Sequence, residues 1–120
     1  MERLASPRRG EVYLVRFDPT LGSEIKKTRP VLVIQNDTGN EFSPITIVAA
    51  ITSKISDPRY PTDVLIDAGE GGLTQTSAVL LNHIRSIDHS RLLKRLGKVE
   101  AATLRKVDVS IQISLGLRSY

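Results

Sequence analysis

The chain has no cysteine and no tryptophan, and only three tyrosines and two phenylalanines. Without cysteine there is no disulfide framework and no thiolate zinc site. With so few aromatics the core must be aliphatic, filled by Val, Ile and Leu. The two histidines, His83 and His89, have no carboxylate at a familiar ligand spacing. No metal site and no cofactor is therefore expected, and nothing in their spacing supports a histidine acid–base pair. No Gly-x-Ser-x-Gly elbow is present, which removes the usual frame of a serine hydrolase. Gly69-Glu70-Gly71-Gly72 lacks the Gly-Lys-Ser/Thr ending of a phosphate-binding loop. No apolar run approaches the roughly 20 residues of a membrane span. Residues 1–10 contain no apolar segment of a signal peptide. A cytoplasmic protein with no membrane partner is expected.

What is present suits one domain. The chain is 120 residues long and 40% hydrophobic, too apolar for a disordered segment. A polar, flexible tail over residues 1–9 is expected to precede a single domain over 10–120. The formal charge is +4, with 11 arginines among 17 basic residues. A modest basic excess favours a polyanionic partner. The basic residues form only small clusters: Arg8-Arg9, Lys26-Lys27 and Arg91 with Lys94 and Arg95. Each is also what an ordinary solvated face looks like.

The chain is organised around Arg29-Pro30-Val31-Leu32-Val33-Ile34-Gln35. This uncharged aliphatic run after Arg29 reads as a buried central strand. Pro30, lacking an N–H, is expected at its first position, with Arg29 just outside. A cation at the mouth of a rigid strand is a candidate functional residue. Before it, Glu11 to Phe17 reads as a first strand, and residues 18–28 as a long loop of the kind that is functional or mobile. After it, Asn36 to Asn40 reads as a turn, and Glu41 to Pro44 as too short for a regular helix. Ile45 to Ser53 and Asp63 to Asp67 read as strands, as do Ser77 to Leu81 and Asn82 to Asp88. Asp88 is placed to cap a short helix over Ser90 to Leu96, closed by Gly97. Leu104, Val107, Ile111 and Leu115 fall at helical spacing, beside a second row of Val109, Ile113 and Leu117. A strand over Val109 to Leu115 stays open, although length and period favour a helix. Strands first and a helix last predict a mainly β fold, a strongly bent antiparallel sheet or barrel with appended helices.

Three pieces, taken together, carry a family resemblance. They are Gly10-Glu11-Val12-Tyr13, then Gly22-Ser23-Glu24 with Arg29-Pro30-Val31-Leu32-Val33, then Ala50-Ile51-Thr52-Ser53. The middle piece resembles the Gly-Ser-Glu…Arg-Pro signature of the MazF/PemK/Kid toxins, the endoribonucleases of toxin–antitoxin pairs. Gly72-Leu73, Ser77, Leu80-Leu81 and Ile84 to Asp88 resemble the later part of that family. The likeness spans Gly10 to Leu117. It departs from the family at Ile25-Lys26-Lys27-Thr28, where members often have Gln-x-Gly. Losing that glycine stiffens the loop and adds charge there.

The resemblance implies an SH3-like, partly open barrel with a C-terminal helix, acting as a homodimer. It implies metal-independent cleavage of single-stranded RNA at short motifs. The family's catalytic arginine and threonine fall on Arg29 and Thr52, and its signature glutamate on Glu24. Ser23, Lys26, Lys27, Thr28, Gln35, Ser53, Lys54 and Ser77 are the expected RNA contacts. A cognate antitoxin would bind through an acidic C-terminal tail. A sister family with the same barrel poisons DNA gyrase by binding alone, and fold does not separate the two. A non-toxic SH3-like binding module is the third reading.

Overall fold

Aliphatic runs become strands here because β-branched side chains fit a pleated surface buried on both faces. Six of them form one antiparallel sheet: β1 (Glu11–Arg16), β2 (Thr28–Val33), β3 (Ile45–Thr52), β4 (Asp63–Ile66), β5 (Ser77–Asp88) and β6 (Leu92–Lys98). Two helices are added, α1 (Asp37–Phe42) and α2 (Ala101–Ser114), with single 3₁₀ turns at Glu70–Gly72 and His89–Arg91. The computed structural model describes residues 6–16, 28–57 and 59–119. The strand order is β4-β5-β3-β2-β1-β6. The two outer strands are not bonded to each other, so the barrel is partly open.

Both faces of the sheet are buried. Val12, Leu32, Ala49, Ile51, Val79 and Leu81 point to one side, where Val107, Leu104 and Ile111 of α2 cover them. Val15, Val31, Val33, Val48 and Ile87 fill the other. Each fully buried Val or Leu contributes about 1.5–3 kcal/mol. Among the described residues, His89 Nε2 is the one buried side-chain polar atom without a hydrogen-bond partner. Asn40, fully buried, donates to Gln35 O at 3.0 Å and accepts from Thr46 Oγ1 at 2.6 Å. The buried carboxylate of Glu11 accepts from Arg8 N at 2.8 Å, Arg95 Nε at 2.7 Å and Tyr13 Oη at 3.2 Å. Burial, and then the charge of Glu11, push the Tyr13 phenol up to about 12.

Several sequence expectations are corrected. Pro30 is the third residue of β2, not the first, and Arg29 lies inside the strand opposite Val15. Asn36 to Phe42 is not a plain turn. Asn36 caps a short helix by accepting from Gly39 N at 2.7 Å. The two strands expected over 77–88 are one. Ala49 pairs with Ile84 but Ala50 with Leu80, so Leu81 to His83 bulge and bend β5 at the expected break.

The helix expected over 90–96 is a strand. Asp88 does accept from Ser90 N, at 2.9 Å, but it caps one 3₁₀ turn only. β6 then pairs with β1, leaving Leu96 unpaired between Arg95 and Gly97, and Leu93 between Leu92 and Lys94. Two bulges break the period-2 pattern that would mark a strand. Arg8 and Arg9, assigned to the tail, are fastened to the domain. Arg9 N donates to Asp37 at 2.7 Å, and Arg9 Nε to Ile34 O at 2.8 Å. The apolar stripe of α2 is narrower than its sequence: Val107 is buried, whereas Leu115 and Leu117 are 61% and 76% exposed.

Gly97 is no helix cap. It lets β6 press on the 3₁₀ turn at Glu70–Gly72. A Cβ at Gly97 would lie 2.6 Å from the Gly71 carbonyl carbon and 2.7 Å from Gly72 N. Backbone cannot yield as a side chain does. Gly97→Ala is therefore expected to lose about 1–3 kcal/mol, the usual range for overpacking. A wild-type urea midpoint in this variant would contradict the close approach.

Candidate active site

β2 and β3 run antiparallel with Val31 opposite Ala50, Leu32 opposite Ala49 and Val33 opposite Val48. The same register carried two residues on sets Arg29 opposite Thr52. By alternation, Arg29 shares the face of Val31 and Val33, and Thr52 shares that of Val48. Both therefore emerge on the same side of the sheet.

The ladder stops just before this pair. Ile34 N donates to Ile47 O at 2.9 Å, which makes Ile34–Ile47 a hydrogen-bonding pair. Such pairs recur every second residue, so Leu32–Ala49 and Pro30–Ile51 would be the next two. Pro30 has no N–H to give. Pairing of β2 with β3 ends at Val31, and the strand ends are free to part.

A cleft of about 390 Å³ opens there. Pro30, Ile51 and Leu73 line its apolar part, and Arg29, Thr52, Ser53 and Lys54 one polar wall. Arg29 is exposed and, among the described residues, has no ion-pair partner. Thr52 Oγ1 accepts from Lys54 N at 3.0 Å. That bond occupies a lone pair and leaves the hydroxyl proton to donate outward. Ser53 and Lys54 are exposed beside it.

The wall beside Thr52 comes from the residues before β5, whose Ala78 pairs with Thr52. Ser77 is buried and donates its hydroxyl to Gln75 O at 2.9 Å. It shapes the wall, and its proton is already committed. Thr74 and Gln75, both exposed, line the cleft as well. Sequence reasoning passed over them. The polar run Thr74-Gln75-Thr76 directly after a buried Leu73 was the available signal.

Other candidates lie apart. Gln35 follows the far end of β2, six residues and roughly 20 Å along the strand direction from Arg29. Its amide donates to Asn40 Oδ1 at 3.0 Å and Ile45 O at 2.9 Å. The structure does not bring it to the cleft. Thr28 opens β2, exposed, one residue from Arg29. Ser23, Glu24, Lys26 and Lys27 lie outside the described residues. The histidines are elsewhere too: His83 is exposed in the β5 bulge, and His89 N donates to Pro44 O at 2.9 Å. A larger cavity, about 700 Å³, lies between Tyr13, Phe42 and Leu93 and holds none of the predicted site residues.

Residues 8–115 match the model of the PemK-like, MazF-like toxins of type II toxin–antitoxin systems. The chain belongs to the PemK/MazF toxin family. Among its relatives is endoribonuclease EndoA of Bacillus subtilis, 48% identical over 94% of this chain and 97% of that one. Endoribonuclease MazF of Staphylococcus saprophyticus is 45% identical over 93% of each. Of solved structures, a MazE–MazF crystal structure (form II) from Deinococcus radiodurans superposes with a TM-score of 0.79 at 28% identity. It covers 95% of this chain and 99% of that chain. The open barrel with a C-terminal helix is thus the MazF-like fold.

The Ser77–Gln75 bond gives this MazF-like cleft a testable rigidity. Ser77→Ala is expected to lose about 0.5–1.5 kcal/mol, the value of one hydrogen bond. Amide exchange over residues 74–76 should quicken, with the rest of the sheet unchanged. Unaltered exchange there would show that the hydroxyl does not hold the wall.

Proposed function

We propose that this MazF-like toxin cleaves single-stranded RNA within a cell's cytoplasm, using Arg29 and Thr52. The observation that carries this reading is the β2–β3 register, which, carried on two residues, sets an exposed guanidinium and a hydroxyl opposite each other at an open ladder end. The relatives named endoribonucleases agree with it.

The chemistry needs no external nucleophile. The ribose 2′-oxygen attacks the adjacent phosphorus and loses its proton. The bond from phosphorus to the 5′-oxygen breaks, and that oxygen gains a proton. The products are a 2′,3′-cyclic phosphate and a 5′-hydroxyl. Because the nucleophile is the substrate's own, positioning and charge stabilisation suffice, and no metal is required. The planar fork of Arg29 suits two phosphate oxygens at once. Its permanent charge makes it a stabiliser and a poor proton donor. Thr52, with one lone pair taken by Lys54 N, donates to the phosphate or the 2′-oxygen. Glu24, in the loop before Arg29, is assigned to accept a proton or to orient Arg29. Lys54, Thr28, Ser53 and the loop cations Lys26 and Lys27 would hold flanking phosphates, so RNA affinity should fall with salt.

The test is incubation of purified protein with a long unstructured RNA in EDTA. Discrete fragments with cyclic-phosphate and 5′-hydroxyl ends are expected. Arg29→Ala should abolish cleavage with the fold intact, and Arg29→Lys should restore little, since an ammonium makes no bidentate contact. Thr52→Ser should retain more activity than Thr52→Val. Intact RNA with the wild-type protein, or gyrase trapped on DNA in its place, would overturn the reading. Equal activity of the two Thr52 variants would remove Thr52 from the chemistry.

The same reading extends to partners. Val109, Leu115 and Leu117 leave apolar surface on the C-terminal side uncovered, as a homodimer would require. Solved relatives include MazE–MazF assemblies. An acidic antitoxin tail that folds on binding fits the +4 charge of this chain. It would lie over Glu24 to Arg29 and exclude RNA. Light scattering should therefore give a dimer at micromolar concentration. A peptide from the antitoxin tail should displace a labelled uncleavable RNA, and simultaneous binding without mutual weakening would exclude the overlap.

A further inference from the structure

The cleft contains one side chain that the cleavage chemistry does not use. From its chemistry and its support we infer that Gln75 reads one base of the RNA, and so sets part of the sequence at which the chain cuts. This rests on the nuclease reading and names a specificity determinant within it.

The argument is one of elimination among the described polar groups of the cleft. A phosphate asks for donors alone, and Arg29 and Lys54 carry donors alone. The Watson–Crick edge of each base presents a donor and an acceptor on neighbouring atoms, which donor-only side chains cannot match, and single-stranded RNA exposes those edges. A hydroxyl offers both functions on a single atom, so Thr52, Ser53 and Thr74 cannot match two edge atoms side by side. Ser77 has spent its proton on Gln75 O. Gln75 alone carries an amide, with its donor and acceptor set apart in one plane. Such an amide can bond bidentately to a base, as glutamine does to the N6 and N7 atoms of adenine.

The side chain is also free and its base is fixed. Gln75 is exposed, and its amide has no hydrogen-bond partner among the described residues. Its backbone carbonyl is held by the buried Ser77 hydroxyl. Two residues earlier, Leu73 is buried, and its backbone bonds Gly69 N at 2.7 Å and Glu70 O at 3.2 Å. A reader needs such a platform, because readout fails when the reading group can drift. The carboxamide therefore starts from a fixed point in the cleft that Arg29 and Thr52 also line.

The experiment is cleavage of a randomised single-stranded RNA pool, with the fragment ends sequenced, by wild type, Gln75→Ala and Gln75→Glu. Circular dichroism confirms that each variant is folded. The wild-type ends should show a base preference at one position near the cut. Gln75→Ala should keep cutting while the preference at that single position falls by roughly tenfold, the worth of one bidentate amide–base contact. Gln75→Glu keeps acceptors and loses the donor, so its preference should move toward the bases with an exocyclic amino group, adenine, cytosine and guanine, and away from uracil. A wild-type end profile in both variants would overturn the assignment of Gln75 alone. So would folded variants that cut nothing, because Gln75 would then serve the chemistry and not the selection. A wild-type protein that leaves the pool intact would overturn the nuclease reading itself, and this inference with it.

Discussion

The missing N–H of Pro30 governs the working end of this fold. β2 is bonded on both sides from Val31 onward, and only to β1 before it. Of the two hydrogen bonds that the next pair, Pro30 and Ile51, would exchange, the one from residue 30 cannot form. Without it, the sheet keeps its register while losing its closure. Arg29 and Thr52 stay level with each other, on one face, at an end where the backbones need not touch. A residue with an N–H at position 30 could carry the ladder down to Thr52 and fill the cleft with backbone. The proline is therefore tolerated inside a central strand because its open side faces a site and not a neighbour.

The second wall depends on an interaction at the opposite edge of the sheet. β6 lies on the 3₁₀ turn so closely that only glycine fits at Gly97, and Gly71 and Gly72 adopt positive φ beneath it. That contact fixes where the turn ends. Leu73 is then buried in the main core, and the chain must climb from it to the start of β5. Thr74 and Gln75 are exposed along this climb, and Ser77 ties them down from inside. The two walls of the cleft are thus set by different parts of the barrel, one by the β2–β3 register and one by the β6–turn contact. Loosening β6 would reach the cleft through Leu73, although β6 contributes nothing to its lining.

Much of this was legible because it rests on local pattern. Val31 to Val33, Ile45 to Thr52 and Val64 to Ile66 are strands since few other structures accept such β-branched runs. The stretch at Leu92 to Lys98 was misread because its bulged residues, Leu93 and Leu96, break the alternation. The misleading cues were real ones: Asp88 caps a turn, and Gly97 is indispensable, but for close approach. Pro30 was displaced by two positions because a sequence does not say which side of a strand is paired. Gln35 looked like a polar group at a strand end, and only the fold shows its amide spent on Asn40 and Ile45. The polar run Thr74-Gln75-Thr76 marked an exposed stretch, but only the fold shows the backbone of Gln75 held by a buried serine two residues later. Arg29 stood out as a cation at the mouth of a strand, Thr52 came from family likeness alone, and the β2–β3 register carried on sets the two opposite each other.

Neither side chain is a good acid or base, and this shapes what the fold must supply. A guanidinium does not give up its proton near neutrality, and an alkyl hydroxyl scarcely accepts one. The described residues of the cleft therefore offer fixed charge and fixed donors, and their worth depends on position. A sheet suits that demand. Slipping β2 by one residue against β3 would turn Arg29 to the opposite face and carry Val31 and Val33 out of their core with it. The hydrophobic set that stabilises the strand is the same set that holds the guanidinium level with Thr52. The register of the cleft and the register of the core are one constraint here, so a change that repacks Val31, Val33 or Val48 would shift Arg29 against Thr52 without touching the cleft.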